Sequence, residues 1–182
     1  MLEFAILGLL HEAPMHGYVL RKRLHETLGT FRPSSYGSLS PTLRRMQKAG
    51  WIVEEDDPPD KDGRAWGRRA RRVYKLTAEG KERFADLVAD AGPQTWEDEG
   101  FGVHLAFFSR TPRDVRMRIL EGRRRRVEER REGLRAALSR AEERIDRYTR
   151  ELHRLGLEST EREVRWLNEL IAHEQAEQRD SD

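Results

Sequence analysis

The sequence predicts a mainly α chain with one small β-hairpin, and three observations predict it. Apolar residues recur at helical spacing through most of the 182 residues. Between residues 52 and 76 two short strand-like runs flank a loop rich in proline, glycine and arginine. From Leu134 to Leu155 apolar residues return at alternating intervals of four and three.

Composition bounds the function before any motif is read. Hydrophobic residues make up 36% and charged residues 37%, so much of the surface consists of charged helix faces, unlike a dense α/β enzyme. Lys and Arg number 35 against 33 Asp and Glu. The surplus sits at the front: residues 1–90 carry 16 basic and 13 acidic side chains, whereas residues 91–182 carry 19 and 20. A nucleic-acid footprint must therefore be a local basic stripe. The absence of cysteine excludes a disulfide framework, a thiolate metal site and a cysteine nucleophile. The longest apolar run, Phe4 to Leu10, is too short to span a bilayer and has no basic leader around it, so no membrane partner and a cytoplasmic location are expected.

Residues 2–11 are apolar on nearly every side, as in a first helix buried all round, and Ala13-Pro14-Met15 breaks it. A second helix is expected from about Gly17 to Leu28, with Tyr18, Leu20, Leu24 and Leu28 inward, Arg21, Lys22 and Arg23 outward, and Gly29 closing it. Phe31-Arg32-Pro33 leads into a third. There Tyr36, Leu39, Leu43 and Met46 share one face, while Ser34, Ser38, Arg45 and Lys48 share the other. Gly50 serves as a cap, and Trp51-Ile52-Val53 opens a strand. An ordinary amphipathic surface helix would show the same inner face. The outer face favours more, because small hydroxyls and cations allow close approach to base edges and phosphates.

The hairpin that follows has an oversized tip, with four aspartates from Asp56 to Asp62 and five arginines from Arg64 to Arg72. A solvated charged loop is one reading; arginine beside glycine on a hairpin tip also suits a phosphate or minor-groove contact. Val73 to Leu76 forms the return strand, and Thr77 caps a fourth helix with Phe84, Leu87 and Val88 inward. Ala91-Gly92-Pro93 stops it, dividing the chain into domains 1–92 and 93–178.

The second domain reads as helical. Residues 94–108 form one helix or two short ones, rich in aromatics. Thr111-Pro112-Arg113-Asp114 starts a long helix expected to run to about Leu155. Leu134, Leu138, Ala141, Ile145, Tyr148, Leu152 and Leu155 form a heptad seam along it, extended upstream by Met117, Leu120 and Val127. Gly156 is expected to end it, and Thr160-Glu161-Arg162-Glu163 to box-cap a last helix with Val164, Leu167, Leu170 and Ile171 on one side. The Arg123–Arg126 run reads as a solvated or intersubunit salt-bridging face.

Three helices, a hairpin and a capped helix within 90 residues spell a winged helix-turn-helix. The same segment resembles the PadR family of transcriptional regulators. The matching pieces are Leu7-Gly8-Leu9-Leu10, His16-Gly17-Tyr18, Gly37-Ser38-Leu39, Pro41 to Met46, Ala49-Gly50, and Arg72 to Gly80. The later half resembles more loosely the helical C-terminal domain of the longer members. The resemblance implies a homodimer, held mainly by C-terminal helices, that binds an operator with two-fold related half-sites and usually represses. Helix-turn-helix dimers place their recognition helices one turn of DNA, roughly 34 Å, apart. Ser40 departs from the tyrosine usual after the Gly-Ser/Thr-Leu unit, and Pro41 forbids one backbone bond unless the helix starts near Ser40 or opens in an irregular or 3₁₀ turn.

These readings nominate Ser34, Ser35, Ser38, Thr42 and Arg45 for the major groove or its phosphates, Arg44 and Lys48 for backbone charge, and Arg68, Arg69 and Arg71 on the wing for phosphates or the minor groove. Leu134, Leu138, Ile145, Tyr148, Leu152, Leu167 and Ile171 are the candidate dimer contacts. Trp96, Phe101, Phe107 and Phe108 with Trp166 form a candidate effector pocket for a small molecule, against which stands plain core packing. No catalytic residue, metal ligand set or cofactor is nominated: His11, His16 and His25 lack ligand spacing, and glycines occur singly. The competing reading is a coiled-coil interaction protein whose winged helix binds a protein partner. Acidic residues opposite Leu39 and Leu43 would favour it, but that face is hydroxylic and basic.

Overall fold

The computed structural model describes residues 1–29, 39–56, 72–141 and 145–179. Two compact units emerge, Met1–Asp90 with Asp98–Pro112, and Ala91–Glu97 with Arg113–Asp182. The division differs from a single cut at residue 92. The aromatic segment 98–112 joins the first unit because Val103 and Phe107 belong to that unit's core.

In the first unit, α1 (Leu2–Glu12) buries seven consecutive residues, Phe4 to Leu10, and forms the centre of the core. Helix α2 (Gly17–Leu28) buries Leu20, Leu24 and Leu28, one stripe at four-residue spacing. Tyr18 is not part of that stripe. It is 70% exposed, stacked on His16 at the entrance of α2 rather than turned inward. Helix α3 (Leu39–Lys48) buries Leu39, Thr42, Leu43 and Met46. Pro41 lies in the first described turn of α3. Gly50 ends α3 with φ +76, a conformation side-chain-bearing residues rarely adopt. Its N–H reaches the Gln47 carbonyl at 3.0 Å and the Trp51 N–H reaches that of Met46 at 3.0 Å, the paired closure of a Schellman motif.

Strands β2 (Ile52–Asp56) and β3 (Arg72–Leu76) pair antiparallel, Ile52 opposite Leu76 and Glu54 opposite Tyr74. A further strand, β1 (Met15–His16), joins the far side of β3 to give the order β1-β3-β2. Two residues after a proline carry no alternation to read, so this strand was hidden in what looked like a helix break. Helix α4 (Ala78–Ala89) is capped by Thr77, whose hydroxyl accepts from the Gly80 N–H at 2.9 Å. That hydroxyl also donates to the Gly50 carbonyl at 2.6 Å, and the Thr77 N–H donates to the Trp51 carbonyl at 3.1 Å. One residue thus ties the end of α3, the root of β2 and the start of α4. A 3₁₀ turn (Phe108–Arg110) follows α5 (Asp98–Ala106), which buries Phe101, Val103 and His104. His104 is 1% exposed with its ring 4.6 Å from that of Phe4, and its Nδ1 has no hydrogen-bond partner. Burial pushes its pKa down to about 4, against an opposing pull from the Asp90 charge.

In the second unit, α6 (Arg113–Ala141) and α7 (Arg147–Arg179) pack on each other. Their cross-links run antiparallel: Arg116 pairs with Glu174, Arg123 with Glu163 and Arg135 with Glu161. The expected helix from Pro112 to Leu155 is therefore two helices. Asp146 begins the second, its Oδ1 accepting from the N–H groups of Tyr148 at 2.8 Å and Thr149 at 3.1 Å. The Thr149 hydroxyl, which donates to Oδ2, and then those backbone bonds hold its carboxyl below the usual range. Gly156 does not end a helix, and Thr160 does not cap one. Both lie inside α7, where the buried Thr160 hydroxyl donates back to the Leu157 carbonyl at 2.8 Å. The Arg123–Arg126 run also departs from a wholly solvated face. Arg123 is 5% exposed, bonded to Glu163 at 2.6 Å and to the Trp96 carbonyl at 3.1 Å.

Candidate nucleic-acid interface

The outward face of α3 is set by what its inward face must bury. With Leu39, Thr42, Leu43 and Met46 in the core, Ser40, Pro41, Arg44, Arg45 and Lys48 are exposed. Three cations and no acid occupy that face of the helix. Thr42 has to be withdrawn from the groove-facing set: it is 2% exposed, one turn before Met46 on the buried stripe. Its angular place beside Leu39 and Leu43 outweighs its polarity. Ser34, Ser35 and Ser38 on the approach to α3, and Arg68, Arg69 and Arg71 on the wing, lie outside the described residues.

The exposed cations have distinct surroundings. Arg45 is held through Nε by Glu3 of α1 at 2.6 Å. Arg44 lies towards the sheet, and its charge is felt at Tyr74. Lys48 is exposed in the last turn, where a cation also suits the negative end of the helix. Lys75 pairs with Glu55 across the strands.

A polar bridge links α3 to the hairpin. Gln47 donates from Nε2 to Oε2 of Glu54 at 2.9 Å, and Arg72 pairs through Nε with Oε1 of the same carboxylate at 2.7 Å. Tyr74 sits opposite Glu54, and burial first, then the Glu54 charge, raises its pKa. Neither Glu3 nor Glu54 was singled out from the sequence, where Glu3 stands alone among apolar residues and Glu54 is the first of four consecutive acids. The strand register would have found Glu54, because Arg72 is its diagonal neighbour on the face shared with Tyr74.

The remaining nominated residues divide between the units. Phe107 packs on Phe4 at 5.3 Å and on Phe84 at 5.9 Å as part of the first core, with Phe101 buried and Phe108 half-buried in the same unit. Trp96 and Trp166 belong to the second unit, Trp96 lying against Gly122 and Trp166 39% exposed. The five aromatics thus form no single cluster within either unit, because Phe107 is recruited to the first core and Trp96 to α6. Of the dimer candidates, Leu167 and Ile171 are buried within the second unit and are withdrawn as surface contacts, since α6 and α7 pack on each other there. Leu134, Leu138 and Ile145 are half-buried, while Tyr148 and Leu152 are 80% and 65% exposed, with Leu155 continuing the same face.

Among the described residues no group of histidines and acids could hold a metal ion, and no helix is long and apolar enough to cross a membrane. Residues 6–86 match the sequence model of the Transcriptional regulator PadR-like family. The negative transcriptional regulator PadR of Bacillus subtilis (strain 168) is 27% identical over 101 residues, which span 54% of this chain and 52%, about half, of that protein. Crystal structures of Bacillus subtilis PadR are similar in extent. The complex with operator DNA is 21% identical with a TM-score of 0.43, covering 95% of this chain and 98% of that one. The complex with p-coumaric acid is 21% identical with a TM-score of 0.42, covering 96% and 98%. Members of this family are regulators of transcription and not enzymes. Residues 6–86 thus form a PadR-like domain, of the kind that defines the PadR-like family of transcriptional regulators.

Proposed function

We propose that the protein is a homodimeric repressor that binds a two-fold symmetric operator through α3 and the wing. The observation that carries the reading is the outward face of α3, where Arg44, Arg45 and Lys48 stand exposed opposite a fully buried apolar stripe. A helix of that kind, followed by a glycine cap and a hairpin, suits the major groove with the wing alongside. Arg68, Arg69 and Arg71 supply the wing's phosphate or minor-groove contacts, and Ser34, Ser35 and Ser38 the close approach at the helix entrance. The curated relative is a negative regulator, which supports repression.

Dimerisation rests on Tyr148, Leu152 and Leu155, an exposed apolar stripe at four- and three-residue spacing on α7. Release by a small molecule is the regulatory half of the proposal, and the C-terminal half is where it enters. The testing experiment is fluorescence anisotropy with duplexes from the protein's own promoter region and with random duplexes, at several salt concentrations. Arg44, Arg45 and Lys48 from two protomers would by themselves contribute about −5 to the log-log salt slope, at roughly −0.9 per phosphate neutralised, and phosphate contacts from the wing would steepen it further. The Arg45→Ala variant should lose affinity and flatten the slope. Salt-steep but equal binding to every duplex removes the specific operator, and absent or salt-insensitive binding, to a genomic fragment library as well, sinks the DNA-binding reading.

A further inference from the structure

We infer that Glu54 is a positioning residue of the DNA-binding surface, the carboxylate that holds the end of α3 and the base of the wing in one register. The inference rests on the DNA-binding reading above. Three elements converge on this side chain. Oε2 accepts from Gln47 in the last turn of α3, and Oε1 meets Arg72, the first residue of β3. Glu54 itself is fixed on β2, between buried Ile52 and the hairpin, with its side chain only 20% exposed. Both oxygens are engaged, so the carboxylate works as a bridge between elements.

The chemistry of Arg72 gives the bridge a function. Its side chain is 48% exposed and is held through Nε. An arginine gripped there can still donate from both terminal nitrogens, with the plane of the fork fixed, to a phosphate on the strand beside the helix. Arg72 directly follows the arginine-rich loop that includes Arg71. Fixing Arg72 relative to Gln47 therefore fixes where the wing's cations begin relative to the recognition helix. A reader of two adjacent grooves needs that spacing set before it meets DNA, because ordering the wing on binding would weaken the complex.

Charge makes the idea decidable. Glu54 is an acid near a surface meant for phosphates, so removing it should tighten DNA binding if field strength were all that mattered. Positioning predicts the opposite for a preferred sequence. The local fold has other ties that survive the change: the Thr77 N–H and hydroxyl hold the carbonyls of Trp51 and Gly50, and Ile52 stays in the core.

The test uses the full chain and duplexes that the wild-type protein enriches from a randomised pool. Glu54→Ala should bind the enriched duplex about tenfold more weakly, the scale of one lost charged hydrogen bond, while random duplex binding holds or tightens. Hydroxyl-radical footprints should keep protection under the helix and lose it at the flanking wing positions. Arg72→Ala should give the same footprint, and the double variant should add little to either single one, coupling that mere loss of stability would not produce. Glu54→Gln keeps the size of the side chain and decides the matter if Glu54→Ala melts before the assay temperature. Binding as tight as wild type with the whole footprint intact overturns the inference and leaves the DNA-binding reading standing. Failure of the wild-type protein to enrich any duplex overturns both.

Discussion

His104 makes the stability of the first unit depend on pH, with a size that follows from its surroundings. The ring is packed on Phe4 with an unbonded Nδ1, and burial lowers its pKa from 6.5 to about 4. The unfolded chain therefore binds a proton on this residue between those values while the folded chain does not. The neutral ring is fully tolerated above 6.5, and stability is lost as the pH falls from there towards 4. A shift of that size corresponds to about 3 kcal/mol across the whole window, of which about 2 kcal/mol is lost between pH 7.5 and pH 5. The α-amino group of Met1 adds to the depression and the Asp90 charge opposes it, so Asp90→Asn should lower the value further. The direct assay is an NMR titration of the His104 ring in the folded protein. The energetic assay compares urea unfolding of wild type and His104→Leu from pH 7.5 to 5. Wild type should lose about 2 kcal/mol relative to the variant, which removes the contribution of all other titrating groups from the comparison. A ring that titrates near 6.5, or a difference between the two proteins that stays flat with pH, would refute the reasoning.

Three further perturbations test other parts of the molecule. Thr77→Ala removes the α4 cap and the donor to the Gly50 carbonyl, and should cost about 1 to 2 kcal/mol in denaturant unfolding, with Thr77→Ser restoring most of it. Gly122→Ala would set a methyl 2.5 Å from the Trp96 ring. The second unit should lose about 1 to 3 kcal/mol, and Trp96 emission should shift red as the indole is pushed out; unchanged emission would place the ring elsewhere. Glu3→Gln releases Arg45 from a half-exposed ion pair worth at most about 1 kcal/mol, so DNA affinity should rise by up to about fivefold, and a fall would instead make Glu3 an orienting partner.

The first unit was legible in the sequence to the extent that its elements carried strong periodicity and a distinct stop. Leu20, Leu24 and Leu28, or Leu39, Leu43 and Met46, each specify one buried stripe, and Gly50 and Thr77 mark chain positions whose backbone bonds few other residues could complete. Periodicity failed where a residue's chemistry and its angle disagreed. Thr42 was read by its hydroxyl and lies by its angle, in the core; Tyr18 was read by its ring and lies exposed, stacked on His16. Two-residue β1 depends on pairing with a strand dozens of residues away, and the bridging role of Glu54 depends on the hairpin register that brings Arg72 beside it, which local periodicity does not encode.

The heptad seam shows the limit most plainly. From Leu134 to Leu155 the spacing is unbroken, the pattern of a face that a partner helix covers. A covering helix can come from another chain or from the same chain turned back, and the two leave the same pattern along a single strand of sequence. The turn was marked only by Asp146, whose carboxylate caps α7 but which also fits an exposed position of a continuous helix. Once the chain turns, Leu167 and Ile171 are buried and Leu134 is half-buried where α6 and α7 pack on each other. What the turn leaves uncovered is the stretch nearest to it, Tyr148, Leu152 and Leu155. Of the seam itself, Leu134, Leu138 and Ile145 are half-buried, whereas Tyr148, Leu152 and Leu155 are exposed. In the proposed dimer those last three residues, two turns of helix on α7, are the face that a second copy would cover.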